Sequence, residues 1–471
     1  MSWLSASSTR LRLQSAPQIP ERLKIGLLSD TFLPVSNGVT HSVAALARLL
    51  VQRGHEPHIF TFAPTAELRM APEGLLDDPP HFWRVPPREG EETLSGVPIH
   101  YATALPILET GYFFGVRYPL WMRSLLEEMD VLHVHHPFIS GRLARRLRLE
   151  TQPLVFTNHT RYDIYTHYFQ QAVPRQMQSL TEPLTSPETL GRRFAARAAR
   201  FANACDAVIA PSASMESVMH DWGVRAPVHV VPNGIDLSRF EDSRFDESST
   251  RNGDLTTRAQ SVLHTSQEEF PRPFSRQQWR ALWEIAANAP VAIYVGRVAP
   301  EKNGRVLLEA FARALQKVPR AHLVIVGDGP SIEEWKDWTR ELEIESRTVF
   351  AGALPSLQIP AVLRAADFFV SSSVSEVHPL TFIEAMASGL PCVGTRSPGV
   401  QDTIVAGENG WLAPPDVAGF AAVLIEALRD ESERKRRGAN AKKSSLEYSM
   451  QTNATRVFEL YQNVLAARII G

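Results

Sequence analysis

The chain predicts an α/β protein of two Rossmann-like, doubly wound domains facing each other across a cleft. Three observations carry this. Short apolar runs alternate with helical segments, which is the pattern of parallel strands joined by right-handed crossovers. The alternation occurs twice, on either side of a polar stretch at 242–272. The length, 471 residues, fits two to three domains at about 150 residues each. The composition is 44% hydrophobic and 21% charged, which excludes wholesale disorder. No uncharged apolar run reaches the ~18 residues of a spanning helix. The formal net charge of −2 lacks the basic field of a dedicated nucleic-acid binder. Two cysteines, Cys205 and Cys392, cannot staple a scaffold and read as buried free thiols of a reducing compartment.

Residues 1–22 read as a disordered tail. Their Arg10 and Arg12, many serines and missing acids also loosely resemble a transit peptide. Residues 23–240 form the first domain. Leu23–Leu28 is a strand buried on both faces. A Pro- and Gly-containing loop leads to a helix over Thr40–Arg53, stopped by Gly54. Strands follow at Pro57–Phe62, Asp130–His133, Leu154–Phe156, Ala207–Ala210 and Val228–Val231. Helices are expected at Gly141–Leu149 and Leu190–Ala204.

Residues 241–275 read as a solvated linker or insertion. Residues 276–445 restart the alternation, with strands at Val291–Val295, His322–Val326, Val349–Ala351 and Asp367–Ser371. Helices follow at Gly304–Val318, Ile332–Leu342 and Leu380–Ser388. Residues 446–471 end in an amphipathic helix, near Asn453–Ile469, suited to crossing back to the first domain.

Ligands of such sheets bind beyond the carboxyl ends of the strands. Three strand-to-helix junctions of the second half therefore matter. At the first, Arg297 and Lys302 flank a turn where both can converge on a diphosphate; a pair of solvated bases is the alternative. At the second, Gly327 sits in Val326-Gly327-Asp328-Gly329-Pro330, where a missing side chain lets a ligand approach. The third is Ser375-Glu376-Val377-His378-Pro379-Leu380-Thr381-Phe382-Ile383-Glu384. Here the amides of Leu380 and Thr381 open a helix that an anion can cap. Glu376 and Glu384 can accept hydroxyls, or else serve the helix dipole and one helix face.

Taken in order, these segments resemble the retaining glycosyltransferases of family 4, which have the GT-B fold. The resemblance rests on Asn37-Gly38-Val39, Val231-Pro232-Asn233-Gly234-Ile235-Asp236, Val295-Gly296-Arg297 with Glu301-Lys302, Val326–Pro330, and Glu376 with Glu384 ahead of Ala385-Met386-Ala387-Ser388-Gly389-Leu390-Pro391. It implies that Arg297 and Lys302 hold a nucleotide diphosphate and that Gly38 brings the first domain close to it. Glu376 would bind a sugar hydroxyl, Glu384 the ribose, and His159 would lie against the donor sugar. The family's usual Gly-Phe-Gly after the first glutamate is replaced by Val377-His378-Pro379, which leaves the donor hexose open.

The first domain is expected to choose the acceptor. His135 and His136, in His133–Phe138, and Tyr162 and Tyr165, in His159–Phe169, are similar to the acceptor side of bacterial diacylglycerol glucosyltransferases and related lipid glycosyltransferases, with local structural packing and a metal site as the alternatives. Arg142, Arg145, Arg146 and Arg148 interleave with leucines; Arg192, Arg193, Arg197 and Arg200 interleave with Phe194, Ala195 and Phe201. Such helices suit an anionic lipid surface, or are simply solvated. Tyr112-Phe113-Phe114 reads as an inserting tip or as core.

The resulting expectation is a retaining, metal-independent transferase. It would move a hexose, glucose first, from a UDP-hexose to a lipid acceptor such as diacylglycerol. It would need no cofactor, metal or nucleic acid, and would work at the cytoplasmic face of a membrane. Transfer to a soluble, polysaccharide or phosphatidylinositol-type acceptor is the alternative. A non-catalytic nucleotide-sugar-binding protein is the third.

Overall fold

The computed structural model describes residues 20–32, 38–64, 92–94, 96–106, 113–115, 118–164, 186–241 and 274–470. Asn37, Tyr112, Tyr165 and the polar stretch 242–273 lie outside the described residues.

The first domain runs β1 (Lys24–Leu28), α1 (Gly38–Gln52), β2 (Glu56–Pro64), β3 (Glu92–Leu94), β4 (Val97–Pro106), β5 (Phe113–Gly115), α2 (Leu120–Glu127), β6 (Val131–Val134), α3 (Ile139–Leu147), β7 (Leu154–Thr157), α4 (Pro187–Ala202), β8 (Ala207–Ala210), α5 (Ala213–Asp221) and β9 (Val228–Val230). The sheet order is β3-β4-β2-β1-β6-β7-β8-β9, with β5 paired to β4. β3 and β5 pair antiparallel with β4 and the other pairings are parallel. Phe113 and Phe114 thus belong to a strand.

Two helix starts differ from the sequence reading, for identifiable reasons. α4 begins three residues earlier than expected because Ser186 caps it, its hydroxyl accepting the Thr189 N–H at 3.3 Å, with Pro187 at the first position. α3 begins at Ile139 because Asp30, distant in sequence, accepts the N–H groups of Ser140 at 2.6 Å and Ile139 at 3.3 Å.

The second domain runs α6 (Arg276–Leu282), β10 (Val291–Val295), α7 (Gly304–Leu315), β11 (His322–Val326), α8 (Ile332–Glu341), β12 (Thr348–Gly352), α9 (Ile359–Arg364), β13 (Phe368–Ser371), α10 (Leu380–Ala387), β14 (Cys392–Thr395), α11 (Val400–Thr403), β15 (Gly410–Ala413), α12 (Val417–Arg429) and α13 (Glu431–Ser445). All its strand pairings are parallel, in the order β12-β11-β10-β13-β14-β15. The order reverses between β10 and β13, and that switch point opens a crevice at the strands' carboxyl ends. The corresponding reversal in the first sheet lies between β1 and β6. α13 escaped the sequence reading because it has almost no apolar stripe. Buried arginines hold it instead: Arg434 donates to the carbonyls of Ala427 and Leu428 at 2.7 and 2.8 Å, and Arg437 to that of Gly410 at 2.9 Å.

The chain passes between the domains earlier than the polar stretch. Val231 packs in the first core, while Ile235 and Phe240 already pack in the second. The return passage lies alongside: the Ile235 N–H donates to Tyr448 O at 2.9 Å, and the Met450 N–H to Ile235 O at 3.0 Å. A Cβ at Gly234 would stand 2.7 Å from Met450 Cα and from Ser449 O. The Pro-Asn-Gly-Ile-Asp segment is therefore a crossing point whose glycine makes room for the second strand of the passage. After it, α14 (Met450–Ile470) buries Val457, Leu460, Tyr461, Val464 and Leu465 against α1 in the first domain's core.

Candidate active site

The second domain's switch point gathers the charged candidates. Lys302 ends a short 3-10 turn between β10 and α7, and Glu376 lies in the loop between β13 and α10. The Lys302 ammonium donates to Glu376 Oε1 at 2.7 Å, both side chains being 17% exposed. Two serines, not singled out in the sequence, pin the two loops together. Ser372 Oγ donates to the carbonyls of Lys302 and Asn303 at 3.1 and 2.8 Å, and Ser375 Oγ to that of Glu301 at 3.3 Å. Arg297 is exposed on the rim of the same turn, and its carbonyl accepts the Tyr294 hydroxyl at 2.7 Å.

Gly327 also has a packing role. Its φ is +140°, and a Cβ would lie 1.9 Å from the Gly296 carbonyl oxygen. Its N–H donates to Gly352 O at 2.8 Å. The glycine thus lets two strand ends close on each other, and its amide is already used.

α10 starts after Pro379, and Leu380 and Thr381 are its first residues. Their amides stand where an intrahelical acceptor is lacking, so they can face an anion. Glu384, one turn in, has no side-chain hydrogen bond among the described residues. Burial pushes its carboxyl up to about 7, against the opposing pull of the Arg239 guanidinium. Burial lowers His41 on α1, and Arg239 adds to the effect. Gly38 is the first residue of α1 rather than a loop residue, and a Cβ there would meet open space.

The first domain contributes a column of imidazoles at the ends of β6 and β7. His133 Nδ1 lies 2.6 Å from the Tyr461 hydroxyl and His133 Nε2 2.6 Å from Thr157 Oγ1. The His133 and His135 rings are 4.3 Å apart. His135 Nδ1 lies 2.9 Å from His159 Nε2. Burial lowers His133 and His159 to about 3 and holds His135 well below its usual value, so all three are neutral. His136 stands apart, receiving the Asp30 N–H on Nδ1 at 3.2 Å. Tyr162 is buried in an aromatic cluster with Phe138 and Trp222 at ring distances of 5.0 and 6.2 Å. Among the described residues no group of three His, Cys, Asp or Glu side chains is placed to hold a metal ion.

The two halves touch at the Glu376 loop. Ser212 Oγ donates to Val377 O at 3.0 Å, and the Val377 side chain packs into the first domain's core. Asp402 of α11 accepts both the N–H and the hydroxyl of Ser214 at 2.9 Å. The crevice between the domains thus has Lys302, Glu376 and an open helix N-terminus on one wall. The neutral histidines lie in the first domain, at the ends of β6 and β7.

Comparison with known proteins agrees with this architecture. Residues 36–239 match the family described as Glycosyltransferase Family 4, and residues 275–444 match Glycosyl transferases group 1. The chain belongs to the family 4 glycosyltransferases of the GT-B fold, and it is an enzyme of that class. The stretch between the two matches contains the polar segment.

Among its relatives is the alpha-monoglucosyldiacylglycerol synthase of Streptococcus pneumoniae, 25% identical over 94% of this chain and 86% of that protein. Another is a GDP-mannose-dependent alpha-mannosyltransferase of Mycolicibacterium smegmatis, 26% identical over 95% and 99% of the two chains. Anabaena HepE, solved with UDP and glucose, superposes with a TM-score of 0.64 at 19% identity, over 94% of this chain and 100% of that one. At that identity the likeness bears on the fold alone.

Proposed function

We propose that this glycosyltransferase moves a hexose, glucose first, from a UDP-hexose to a lipid hydroxyl of the diacylglycerol type, with retention and without a metal. The observation that carries the reading is the 2.7 Å Lys302–Glu376 contact at the second domain's switch point. It sets a cation for the diphosphate beside a carboxylate for the sugar. An ammonium has three donors, so Lys302 can keep Glu376 and still meet a phosphate oxygen.

Breaking the bond between the anomeric carbon and the diphosphate oxygen leaves negative charge on the diphosphate. Lys302, Arg297 and the amides of Leu380 and Thr381 meet that charge where it develops. The acceptor hydroxyl attacks on the same face and passes its proton to the departing phosphate oxygen, so no enzymatic nucleophile is required. Glu384 takes the ribose hydroxyls. His159, a neutral imidazole, lies against the sugar and distinguishes hydroxyls by hydrogen bonding rather than by charge.

The lipid side of the reading rests on the first domain. Arg142, Arg145 and Arg146 of α3 and Arg192, Arg193, Arg197 and Arg200 of α4 are exposed. The two helices touch, since a Cβ on Gly141 would lie 2.8 Å from the Phe201 ring. On neighbouring α2, Leu120 and Trp121 are 77% and 52% exposed. Basic residues beside exposed apolar ones suit peripheral contact with an anionic membrane at the cytoplasmic face. No helix among the described residues is long and apolar enough to cross a membrane.

The test is turnover of UDP-glucose, UDP-galactose and GDP-mannose against diacylglycerol, phosphatidylinositol and soluble acceptors, with chelator present. Glucosylation of diacylglycerol in chelator is expected. Transfer only to a soluble acceptor, or only with added divalent ion, overturns the corresponding part. A mannosyl or inositol-type reading draws support from relatives such as the D-inositol 3-phosphate glycosyltransferase of Corynebacterium efficiens, 26% identical over 73% of each chain. It predicts GDP-mannose or phosphatidylinositol as the preferred substrate in the same panel.

A further inference from the structure

We propose that His135 is a positioning residue that fixes the tautomer of His159, so that His159 presents Nδ1–H as a donor to the substrate cleft. The inference rests on the reading of His159 as the sugar-side histidine, and it goes beyond that reading by assigning the proton.

The argument starts from nitrogen bookkeeping. His135 is 2% exposed, and its Nε2 is buried with no hydrogen-bond partner. Its Nδ1 lies 2.9 Å from His159 Nε2. One of these two nitrogens carries the hydrogen. Were it His159, the neutral His135 ring would carry its own hydrogen on Nε2, as a buried N–H with no acceptor. Orphaned buried N–H groups are rare, whereas an unused acceptor lone pair is the lesser cost. The hydrogen therefore sits on His135 Nδ1 and is donated to His159 Nε2. A neutral His159 must then carry its own hydrogen on Nδ1, the only ring nitrogen left to meet a substrate.

The rest of the column holds His135 in place. Its ring packs 4.3 Å from that of His133, which is fixed at both ends by the hydroxyls of Tyr461 and Thr157, each at 2.6 Å. The His135 and His159 rings are stacked, with centroids 5.2 Å apart and planes within 21°. Tyr461 comes from α14, the helix that returns from the second domain. The donor on the sugar side is thereby set by a buried column reaching through the first domain to the last helix. A fixed N–H donor suits a hydroxyl oxygen or a phosphate oxygen; a bare nitrogen in that place would instead need a hydroxyl hydrogen.

Two measurements test this. The first is imidazole 15N NMR of the whole protein labelled at histidine, with His159→Gln identifying the resonance. His159 is expected to show a protonated Nδ1 and a bare Nε2; the opposite assignment in the wild type overturns the proposal. The second is steady-state kinetics. His135→Leu removes the donor and is expected to lower kcat roughly 10- to 100-fold with donor KM little changed, since misorientation acts on the reacting geometry. His135→Asn, whose amide donates from a comparable position, is expected to restore most of kcat.

Equal loss in both variants, or loss only in KM, contradicts the assignment. A thermal melt of each variant separates this from unfolding. If the wild type transfers no sugar with any donor, the functional reading fails while the NMR result still decides the tautomer.

Discussion

On the proposed reading, the two domains meet different electrostatic problems. The second domain would face a leaving group that gains charge, and would answer with Lys302, Arg297 and an open helix end. The first domain would face hydroxyl groups, with imidazoles that burial keeps neutral, His133 and His159 near 3. In that reading charge is placed only where charge develops, and hydrogen-bond direction is fixed where neutral groups must be told apart. The difference also explains why the two sets of residues are held differently. The charged loops are pinned by serine hydroxyls to backbone carbonyls, while the histidine column is buried and anchored by Tyr461 from the last helix.

Four predictions break or sharpen that contrast. The largest effect is expected at the charged wall: Lys302→Ala or Glu376→Gln lowers kcat/KM by about 10²–10³. A loss below tenfold in steady-state assays would show that the pair is not at the reacting centre. Next comes Gly234→Val at the paired crossing, where a Cβ already meets backbone at 2.7 Å. A loss of a few kcal/mol, about 2–4, is expected from denaturant unfolding, because backbone cannot move aside as a flexible side chain does.

The third is a pH effect at Glu384, whose carboxyl is raised by burial to about 7. Unfolded, it titrates near the ordinary glutamate value, so the folded protein holds the extra proton between about 4.5 and 7. Its contribution to stability is present in acid and is lost as pH rises through that window. If ribose binding favours the carboxylate, donor affinity rises from pH 6 to 8 in the wild type and is flat in Glu384→Gln. Calorimetric titration at several pH values measures both. The smallest effect belongs to Tyr461→Phe, which keeps the packing but removes one hydroxyl contact to His133. A decrease in kcat of a few-fold with unchanged donor KM is expected if the column orients His159.

Much of this was legible in the residues. The alternation of buried strands and helices gave the central strands of both sheets, because apolar runs bounded by turn residues report burial directly, while β3, β4, β5, β14 and β15 went unread. The charged site was legible because Lys302 and Glu376 stand at strand ends that a doubly wound sheet must bring together. What escaped depended on distant partners. Asp30 capping α3 lies about 110 residues away in sequence, and α13 is held by arginine-to-carbonyl bonds rather than by an apolar stripe. At Gly327 the motif does not reveal that the Gly296 carbonyl excludes a side chain. Tyr162 was expected on the acceptor side and is buried among aromatic rings. Tyr461 lies on the apolar stripe of the last helix, and nothing local reveals its hydroxyl's partner, His133, 328 residues away.

The central claim is that fixed cations and amides in the crevice hold the donor's diphosphate. Calorimetric comparison of UDP with uridine, in chelator, for the wild type and Lys302→Ala tests it most directly. The account predicts a strong preference for the diphosphate in the wild type, reduced about tenfold or more by the substitution. An equal affinity for UDP and uridine, or a preference unaltered by loss of Lys302, would contradict it.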